Sequence, residues 1–206
     1  MQLHSRHYDA LQSYQKALLV VDELGLNNLS IDDQQLVASA YCTMGDIYQD
    51  FGNFVDAERY YKTSLDLANK LKDRITIANS RRGLGQIYDV KGEFEESLKH
   101  YQNALDIGKQ LNNNFLISRL YNHIGYIYQV WNRFDKALEY YKKALDAAKQ
   151  ASIDFAFFEN ICNSGNLLTY PQIAVCQSFS ANYNDIALVW QYKGDLKEAV
   201  RYYQYL

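Results

Sequence analysis

The chain has 206 residues, of which 48% are hydrophobic, and its 21 Lys and Arg nearly balance its 24 Asp and Glu to leave a net charge of −3. This balance gives no electrostatic reason to expect a nucleic acid or an anionic membrane as partner. The 3 cysteines lack CxxC spacing and a nearby histidine, so we predict neither a disulfide framework nor a zinc site and expect a reducing, cytoplasmic location. No apolar run approaches the ~20 residues of a membrane-spanning helix.

The first predicted element is a helix over residues 6–25, "RHYDALQSYQKALLVVDELG". Three of its residues share one helical face and match positions of the later units: Ala10, Tyr14 and Ala17. The sequence "SIDD" that follows offers Ser30 as a capping residue with an acid three positions later. A second helix is therefore expected to begin near Ile31.

The middle of the chain repeats itself every 40 residues. The recurring positions are a glycine, a tyrosine three residues later and a small residue twelve residues after the glycine: Gly45, Gly85 and Gly125; Tyr48, Tyr88 and Tyr128; Ala57, Ser97 and Ala137. A fixed period of this size is typical of stacked structural units. Helical spacing within each unit predicts two helices, A and B, joined by short turns at residues 50–54, 90–94 and 130–134. Such turns require the two helices to be antiparallel.

The glycine inside each A helix needs a compensating contact, because glycine costs about 1 kcal/mol there relative to alanine. We interpret the small residue of helix B as that contact, since two small residues allow paired helices to approach closely. Large aromatic residues, including Tyr48 and Phe54, are then expected to fill the wider space between one helix pair and the next.

The predicted units form one array. They are a partial repeat with its B helix at 6–25, full repeats at 31–72, 78–111 and 118–151, and a truncated last repeat at 179–206. The array is expected to be a fragment of a longer protein, and its uncapped ends are expected to allow self-association.

An insertion occupies residues 152–178 and holds the one proline of the chain, Pro171. We predict a helix near 154–168, a break at Tyr170 and Pro171, and a second helix running from about 172 into the last repeat. Two interpretations stay open. Either the phenylalanines of the insertion join the core of an irregular repeat, or the insertion is a partner-binding element or a junction with another domain.

The repeated positions resemble the tetratricopeptide repeat, whose pattern is a bulky residue, Leu-Gly, Tyr, Gly, Ala, an aromatic residue and Ala. The first full unit matches it with Tyr41, Met44-Gly45, Tyr48, Gly52, Ala57, Tyr61 and Ser64. The second unit matches it with Leu84-Gly85, Tyr88, Gly92, Ser97, Tyr101 and Ala104. The family's usual period is about 34 residues, and the longer period looks like the subtype of G-protein signalling modulators and many bacterial regulators. The resemblance implies an all-α, right-handed superhelical solenoid of antiparallel helix pairs.

Signals for catalysis are weak in this sequence. "RRGLGQIY" contains Gly-x-Gly at residues 83–85, but no strand precedes it and no third glycine follows at the required spacing, so nucleotide binding is not expected. The histidines are isolated, and the acidic residues near helix starts complement the helix dipole. We therefore expect no catalytic residue, no metal, no cofactor and no enzymatic activity.

In the family that the sequence resembles, the A helices line a concave groove that commonly holds a peptide or a partner's helix. Counted from each repeat glycine, the predicted partner-binding residues are Asp46, Gln49, Asn79, Arg82, Gln86, Arg119, Asn122, His123 and Tyr126. Further groove positions are Ser39, Cys42, Thr43, Gly83, Asp89, Gln129, Asn184, Asp185, Leu188 and Gln191. The strongest candidate cluster is Asn79, Arg82, Arg119 and Asn122. Asparagine is able to clamp a peptide backbone, and arginine to bind a carboxylate; the alternative is an ordinary solvated face.

The predicted function is a protein-interaction scaffold that binds a peptide segment or helix of an unidentified protein partner. The alternative is the sensory arm of a larger signalling protein, whose superhelical shape changes when a peptide binds. RNA recognition is disfavoured by the net charge of −3 and by the lack of a basic stripe.

Overall fold

The computed structural model describes the backbone of residues 2–151 and 170–204 and the side chains of residues 7–151 and 180–204. Within these ranges the regular elements are nine α-helices and one 3-10 turn, Leu26–Asn28. The helices are α1 (Gln2–Leu24), α2 (Ile31–Asp50), α3 (Phe54–Leu71), α4 (Arg74–Lys91), α5 (Phe94–Gln110), α6 (Asn114–Val130), α7 (Phe134–Ala151), α8 (Tyr170–Tyr192) and α9 (Leu196–Tyr203). The predicted all-α class is confirmed. The chain divides into two compact units, Met1–Ile107 and Gly108–Leu206, which are described in turn.

The predicted turns and the first cap are confirmed. The Ser30 side chain accepts a hydrogen bond from the Asp33 N–H at 3.1 Å, so α2 begins at Ile31 as expected. Each A helix is followed within two residues by a residue with positive φ. These residues are Gly52, Gly92, Asn132 and Gly194. This conformation stops a helix and returns the chain within a few residues, which starts the B helix beside its A helix.

Two A helices begin earlier than predicted. The repeats expected to start at residues 78 and 118 have A helices that begin at Arg74 and Asn114. The reason is local, because Asp73 and Asn113 each accept a hydrogen bond from a backbone N–H three residues later and so cap the helix. The residues before these caps, Lys72 and Asn112, take positive φ and end the preceding B helix.

In the first unit, α2 and α3 pack as an antiparallel pair. The Ser64 hydroxyl donates to the carbonyl oxygen of Ala38 at 2.6 Å, and the Tyr61 hydroxyl donates to Asp46 at 2.7 Å. Because Ala38 lies opposite Ser64 and Asp46 lies opposite Tyr61, the two helices run in opposite directions. The next A helix, α4, packs on this pair, and its Ser80 hydroxyl donates to the Ser64 hydroxyl at 2.8 Å.

The repeat glycine contacts a tyrosine of helix B more than it contacts the small residue that the sequence suggested. A Cβ on Gly45 would lie 2.7 Å from the Tyr61 ring, and a Cβ on Gly83 of α4 would overlap the same ring. The expected small partner also takes part, because the Ser97 hydroxyl donates to the Gly85 carbonyl at 2.8 Å. Each glycine therefore makes room for a buried ring.

The other repeat tyrosines stack on a ring of helix B, twelve residues later in the chain. Tyr48 stacks on Tyr60 at 5.1 Å between ring centroids, and Tyr88 stacks on His100 at 5.2 Å. Burial lowers the pKa of His100, and the arginine Arg81 lowers it further, so this ring is neutral at physiological pH. These half-buried rings widen the core around the fully buried tyrosines.

The second unit repeats the arrangement. A Cβ on Gly125 of α6 would lie 2.7 Å from the Tyr141 ring of α7, and the Ser118 hydroxyl donates to the Ala144 carbonyl at 2.7 Å. The core of this unit also includes Ile186 from α8. α8 begins at Tyr170, two residues before the predicted start near 172, so Tyr170 and Pro171 belong to the helix. The predicted helix at 154–168, with Phe155, Phe157 and Phe158, lies outside the described residues.

Candidate functional site

A tyrosine of helix B supports a polar side chain of helix A in each of four repeats. Its hydroxyl donates to an oxygen of the residue twelve positions earlier in the chain. The four bonds join Tyr61 to Gln49 at 3.0 Å, Tyr101 to Asp89 at 2.6 Å, Tyr141 to Gln129 at 2.8 Å and Tyr203 to Gln191 at 3.2 Å. All four acceptors are among the predicted groove positions. The tyrosines were expected to be core residues, and the recurring spacing of twelve is the signal that would have revealed this second role.

The hydroxyls of Tyr61, Tyr101 and Tyr141 remain protonated donors. Tyr61 and Tyr101 are 0% exposed, and Tyr141 is 1% exposed. Burial raises the pKa of all three, and the carboxylates of Asp46 and Asp89 raise the pKa of Tyr61 and Tyr101 further. Each bond therefore persists across the physiological pH range and holds its acceptor in one place.

The glutamine amides gain a defined orientation from these bonds. Because the amide oxygen of Gln49 accepts from Tyr61, the two amide N–H groups of Gln49 point elsewhere. The same holds for Gln129, which accepts from Tyr141. Gln49 and Gln129 are partly exposed, and Gln191 is exposed. Each of these A helices thus carries amide donors whose position is fixed by a tyrosine of helix B.

Arg82 supports its neighbours in the first unit. Its Nη2 donates to Asp46 Oδ1 at 3.1 Å, and its Nη1 donates to Gln86 Oε1 at 2.5 Å. The Arg82 side chain is 6% exposed, whereas that of Asp46 is 44% exposed. Burial disfavours the charged guanidinium, but the Asp46 carboxylate, Tyr61 and Cys42 together outweigh burial and raise the pKa of Arg82. The exposed charge of this pair is therefore the carboxylate, with the arginine beneath it.

Asp89 of α4 is held by the core. The Tyr101 hydroxyl donates to its Oδ2, while its Oδ1 is buried without a hydrogen-bond partner. Burial raises the pKa of Asp89, although the hydrogen bond from Tyr101 opposes the shift. Three other predicted groove residues are less exposed than expected: Asn79 is half-buried, Gly83 packs on a tyrosine ring, and Cys42 is buried. Burial raises the pKa of the Cys42 thiol to about 11, which makes it unreactive.

In the second unit the predicted residue Asn122 joins α6 to α8. Its amide nitrogen donates to Asn182 Oδ1 at 3.0 Å and to Asp185 Oδ2 at 2.6 Å. Burial raises the pKa of Asp185, and the bond from Asn122 partly opposes that shift. Asn182 is 1% exposed and was missed by the sequence analysis, because no repeat spacing marks it. The amide of Asn122 thus has partners within the protein.

The other partner-binding residues predicted in the second unit, Arg119, His123 and Tyr126, lie on α6. Tyr126 is 46% exposed, and Arg119 is exposed with its guanidinium 5.8 Å from the Phe115 ring. His123 is partly exposed. The structure therefore brings Asp46, Gln49, Arg82 and Gln86 together in the first unit. Whether Asn79 and Arg82 act jointly with Arg119 and Asn122 stays a prediction, because these pairs belong to different units.

A protein-family model described as tetratricopeptide repeat matches residues 36–89 and 90–150. These ranges make up more than half of the 206 residues. The chain belongs to the tetratricopeptide repeat family. Membership supports a general role as a protein-interaction scaffold. No curated protein matches the chain.

Several solved tetratricopeptide-repeat folds are similar to this chain. BtubC (BKLC) from P. vanneervenii has a TM-score of 0.72 and 20% identity, over 98% of this chain and 72% of that one. MamA has a TM-score of 0.55 and 20% identity, over 99% and 88%. A signal transduction ATPase with numerous domains from Pyrococcus horikoshii, which has a tetratricopeptide repeat sensor, has a TM-score of 0.55 and 20% identity, over 92% of this chain and 29% of its own. These identities show a shared fold alone.

Metal-binding clusters and membrane-spanning helices are both absent from the residues that the structure describes. The described residues contain no group of three or more His, Cys, Asp or Glu side chains able to hold a metal ion. None of the helices in residues 2–151 and 170–204 is long and apolar enough to cross a membrane.

The tyrosine–glutamine bond of a tetratricopeptide repeat is expected to contribute to stability. Tyr141→Phe removes the hydroxyl that donates a hydrogen bond to Gln129. We expect the free energy of unfolding to fall by about 1 kcal/mol. Tyr203→Phe is the matched control, since its longer bond is exposed and its loss should cost less. Urea denaturation of both variants measures the difference. Equal midpoints for wild type and Tyr141→Phe would contradict a supporting role for this bond.

Proposed function

We propose that the A-helix faces of this tetratricopeptide-repeat protein bind a peptide segment of a partner protein. The observation that supports this proposal is the bond between a helix B tyrosine and a helix A side chain in each of four repeats. A surface amide that is already oriented loses little side-chain entropy when it binds, so it favours recognition. The acceptor is a glutamine in three of these repeats and an aspartate in the fourth, so three of them carry an oriented amide.

The size of the contribution from each such amide follows from general hydrogen-bond energetics. An extended peptide exposes one backbone N–H and one C=O per residue, and a glutamine amide offers both a donor and an acceptor to such groups. Each bond of this kind contributes about 1 kcal/mol net. Peptide binding through several repeats therefore does not depend on any single side chain of the ligand.

Charge adds a preference on the first unit. Asp46 is 44% exposed, and its Oδ1 accepts from both Tyr61 and Arg82. Its Oδ2 accepts no hydrogen bond from any residue that the structure describes, so this oxygen is open to a ligand. We expect the bound segment to place a lysine or arginine at this carboxylate.

The proposal is tested on one amide at a time. Peptides selected from a random library against the wild-type chain serve as ligands, and fluorescence anisotropy measures their affinities. Gln49→Leu should weaken binding about tenfold, which corresponds to ~1.4 kcal/mol. Gln102→Leu, at an exposed position of α5, is the matched control and should leave affinity unchanged.

A result in which both substitutions leave affinity unchanged would refute the A-helix face as the binding surface of the first unit. Far-ultraviolet circular dichroism verifies that each variant keeps the helicity of wild type. The same comparison in the second unit uses Gln129→Leu with the exposed Gln150→Leu as its control.

The second predicted function, a sensory arm of a larger signalling protein, stays a prediction. Its direct test is the complete coding sequence, because a sensor requires an output domain on the same chain. The predicted cytoplasmic location is tested separately by fractionation of the source cells with an antibody to the chain.

A further inference from the structure

Four aromatic rings form a continuous ladder on the second unit. In the order of their contacts they are Trp131, Tyr128, Tyr140 and Tyr121. The centroids of successive rings lie 5.7, 5.2 and 6.0 Å apart. All four residues are partly exposed, so the ladder reaches the protein surface.

A cation lies over each ring of this ladder. The distances from the lysine nitrogen or the guanidinium carbon to the ring centroid are 5.6 Å for Arg133 on Trp131, 5.3 Å for Lys136 on Tyr128, 5.0 Å for Lys143 on Tyr140 and 5.7 Å for Lys109 on Tyr121. At separations below about 6 Å a cation is attracted to the face of an aromatic ring. We call these four cations and their four rings the basic strip.

The basic strip carries more positive than negative charge. Arg133, Lys136 and Lys109 are exposed and form no ion pair with a residue that the structure describes. Lys143 pairs with Glu139 at 2.5 Å, and its side chain is 45% exposed. The hydrogen bond from Lys143 lowers the pKa of Glu139, and the charge of Lys136 lowers it further, so one carboxylate serves two cations. The other positive charges face solvent.

The rings themselves are explained by packing within the repeat. Two repeat periods earlier, Tyr48, Tyr60 and Tyr41 of the first unit form the same stack, with ring centroids 5.1 and 6.2 Å apart. Both units therefore use these rings to fill the space between the A and B helices. A ligand is not needed to account for them.

The cations are not explained in this way. In the first unit the positions of Arg133, Lys136 and Lys143 are held by Asn53, Asp56 and Thr63. One cation, Arg59, does lie over a ring of that unit, but Asp56 pairs with it at 2.9 Å. The repeat thus packs the same rings without an excess of positive charge. The cations of the basic strip therefore serve something other than the packing of the repeat.

The basic strip lies on a different side of α6 from the proposed peptide-binding face. Tyr121 and Tyr128 are seven residues apart, which places them on one side of the helix. Tyr126 of the peptide-binding face is two residues from Tyr128, which corresponds to about 200° around the helix axis. The two surfaces are therefore separate.

We propose that the basic strip binds an acidic segment of a partner protein, whose carboxylates contact the cations that the rings hold. The excess of positive charge requires a negative occupant. A cation that already lies against a ring loses less side-chain entropy when a carboxylate binds it. Trp, Tyr and Arg are also the residues that most often dominate the binding energy of protein interfaces. A nucleic acid fits less well, because its bases need open ring faces and these rings already contact one another and the cations.

The experiment titrates a fluorescein-labelled oligoglutamate peptide with the complete chain and follows anisotropy. Wild type should bind it saturably at physiological ionic strength, where exposed charges more than about 8 Å apart are largely screened. A labelled oligoglutamine peptide of equal length should bind at least tenfold more weakly, because it has no carboxylates.

The test variant Arg133→Asn/Lys136→Asp/Lys143→Thr introduces the residues of the first unit at three positions of the basic strip. The fold accepts these residues beside the same rings in the first unit, and circular dichroism verifies the helicity of the variant. We expect it to bind oligoglutamate at least tenfold more weakly than wild type, because three cations are lost together.

The matched control is Lys70→Thr/Lys197→Asp/Arg201→Asn, which makes the same kinds of substitution at exposed positions outside the basic strip. Its net charge equals that of the test variant, so a general effect of net charge would weaken binding by both. We expect the control to bind oligoglutamate as wild type does.

Several results would overturn the proposal. These are absence of saturable binding to wild type, equal binding of oligoglutamine, and equal binding by the test variant and its control. Tighter binding of an oligouridylate of equal charge would instead make a nucleic acid the occupant. A wild-type dimer in light scattering that the test variant abolishes would make a second copy of the chain the occupant.

Crossing the variants separates this surface from the peptide-binding face. Gln129→Leu should bind oligoglutamate normally, and the test variant should bind normally the peptides whose affinity depends on Gln129. Failure of oligoglutamate to bind therefore leaves the peptide-binding face intact, and the converse holds as well.

Discussion

Gly83→Ala is expected to destabilise the chain by about 2 kcal/mol. A methyl group at this position would overlap the ring of Tyr61, which is 0% exposed. The ring has no free direction, because Gly45 lies on it as well and its hydroxyl bonds to Asp46 and Gln49. Overpacking of this kind costs about 1–3 kcal/mol, and the gain of about 1 kcal/mol from better helix propensity offsets only part of it.

Urea denaturation followed by circular dichroism measures the effect. Gly108→Ala is the control, because its Cβ would lie 3.3 Å from the nearest atom, a side-chain carbon of Ile117, and the same propensity gain applies. We expect this control to change stability by less than about 1 kcal/mol. Equal midpoints for the two variants would mean that the Tyr61 ring moves aside easily.

Asp46→Ala is expected to destabilise the chain by about 2–3 kcal/mol. The substitution removes the carboxylate partner of Arg82, whose side chain is 6% exposed. Breaking a buried ion pair by removing one partner costs about 3–5 kcal/mol, and the 44% exposure of Asp46 reduces that figure because water screens the pair. The Tyr61 hydroxyl also loses one of its two acceptors.

The double variant Asp46→Ala/Arg82→Met distinguishes this cause from a simple loss of contacts. An apolar replacement of similar length leaves no buried charge, so the double variant should be more stable than Asp46→Ala alone. Asp66→Ala, at an exposed position of α3, controls for the loss of one negative charge. The single variant Arg82→Met completes the comparison. If the losses of stability in Asp46→Ala and in Arg82→Met add up to the loss in the double variant, the burial of an uncompensated arginine is not the reason for the effect of Asp46→Ala.

The repeat period predicted the helix pairs and their turns because it records contacts that every unit must make. Gly52 and Gly92 end their A helices at positive φ, which the sequence indicates through residue type alone. The early starts of α4 and α6 escaped prediction because their caps, Asp73 and Asn113, belong to the link between repeats. That link has no equivalent in the family pattern on which the predicted boundaries depended.

The groove residues were harder to predict than the fold. Helical spacing places Arg82 and Asn122 on the A-helix face, but it does not reveal how deeply each side chain lies. Arg82 is buried beneath Asp46, and Asn122 bonds to residues of α8 that are 60 and 63 positions away in the chain. Such contacts arise from the packing of successive repeats, so reasoning from a single sequence had no means of finding them.

The ring of Tyr61 contacts glycines of two successive A helices, Gly45 in α2 and Gly83 in α4. If α4 separated from the pair, the side of the Tyr61 ring that packs on Gly83 would be exposed to solvent. The other side of the ring and its hydroxyl would still contact α2. In arrays of stacked repeats, the strength of such shared contacts decides whether neighbouring repeats unfold one at a time or together. Here the Tyr61 ring links the two repeats, so we expect α2, α3 and α4 to unfold together.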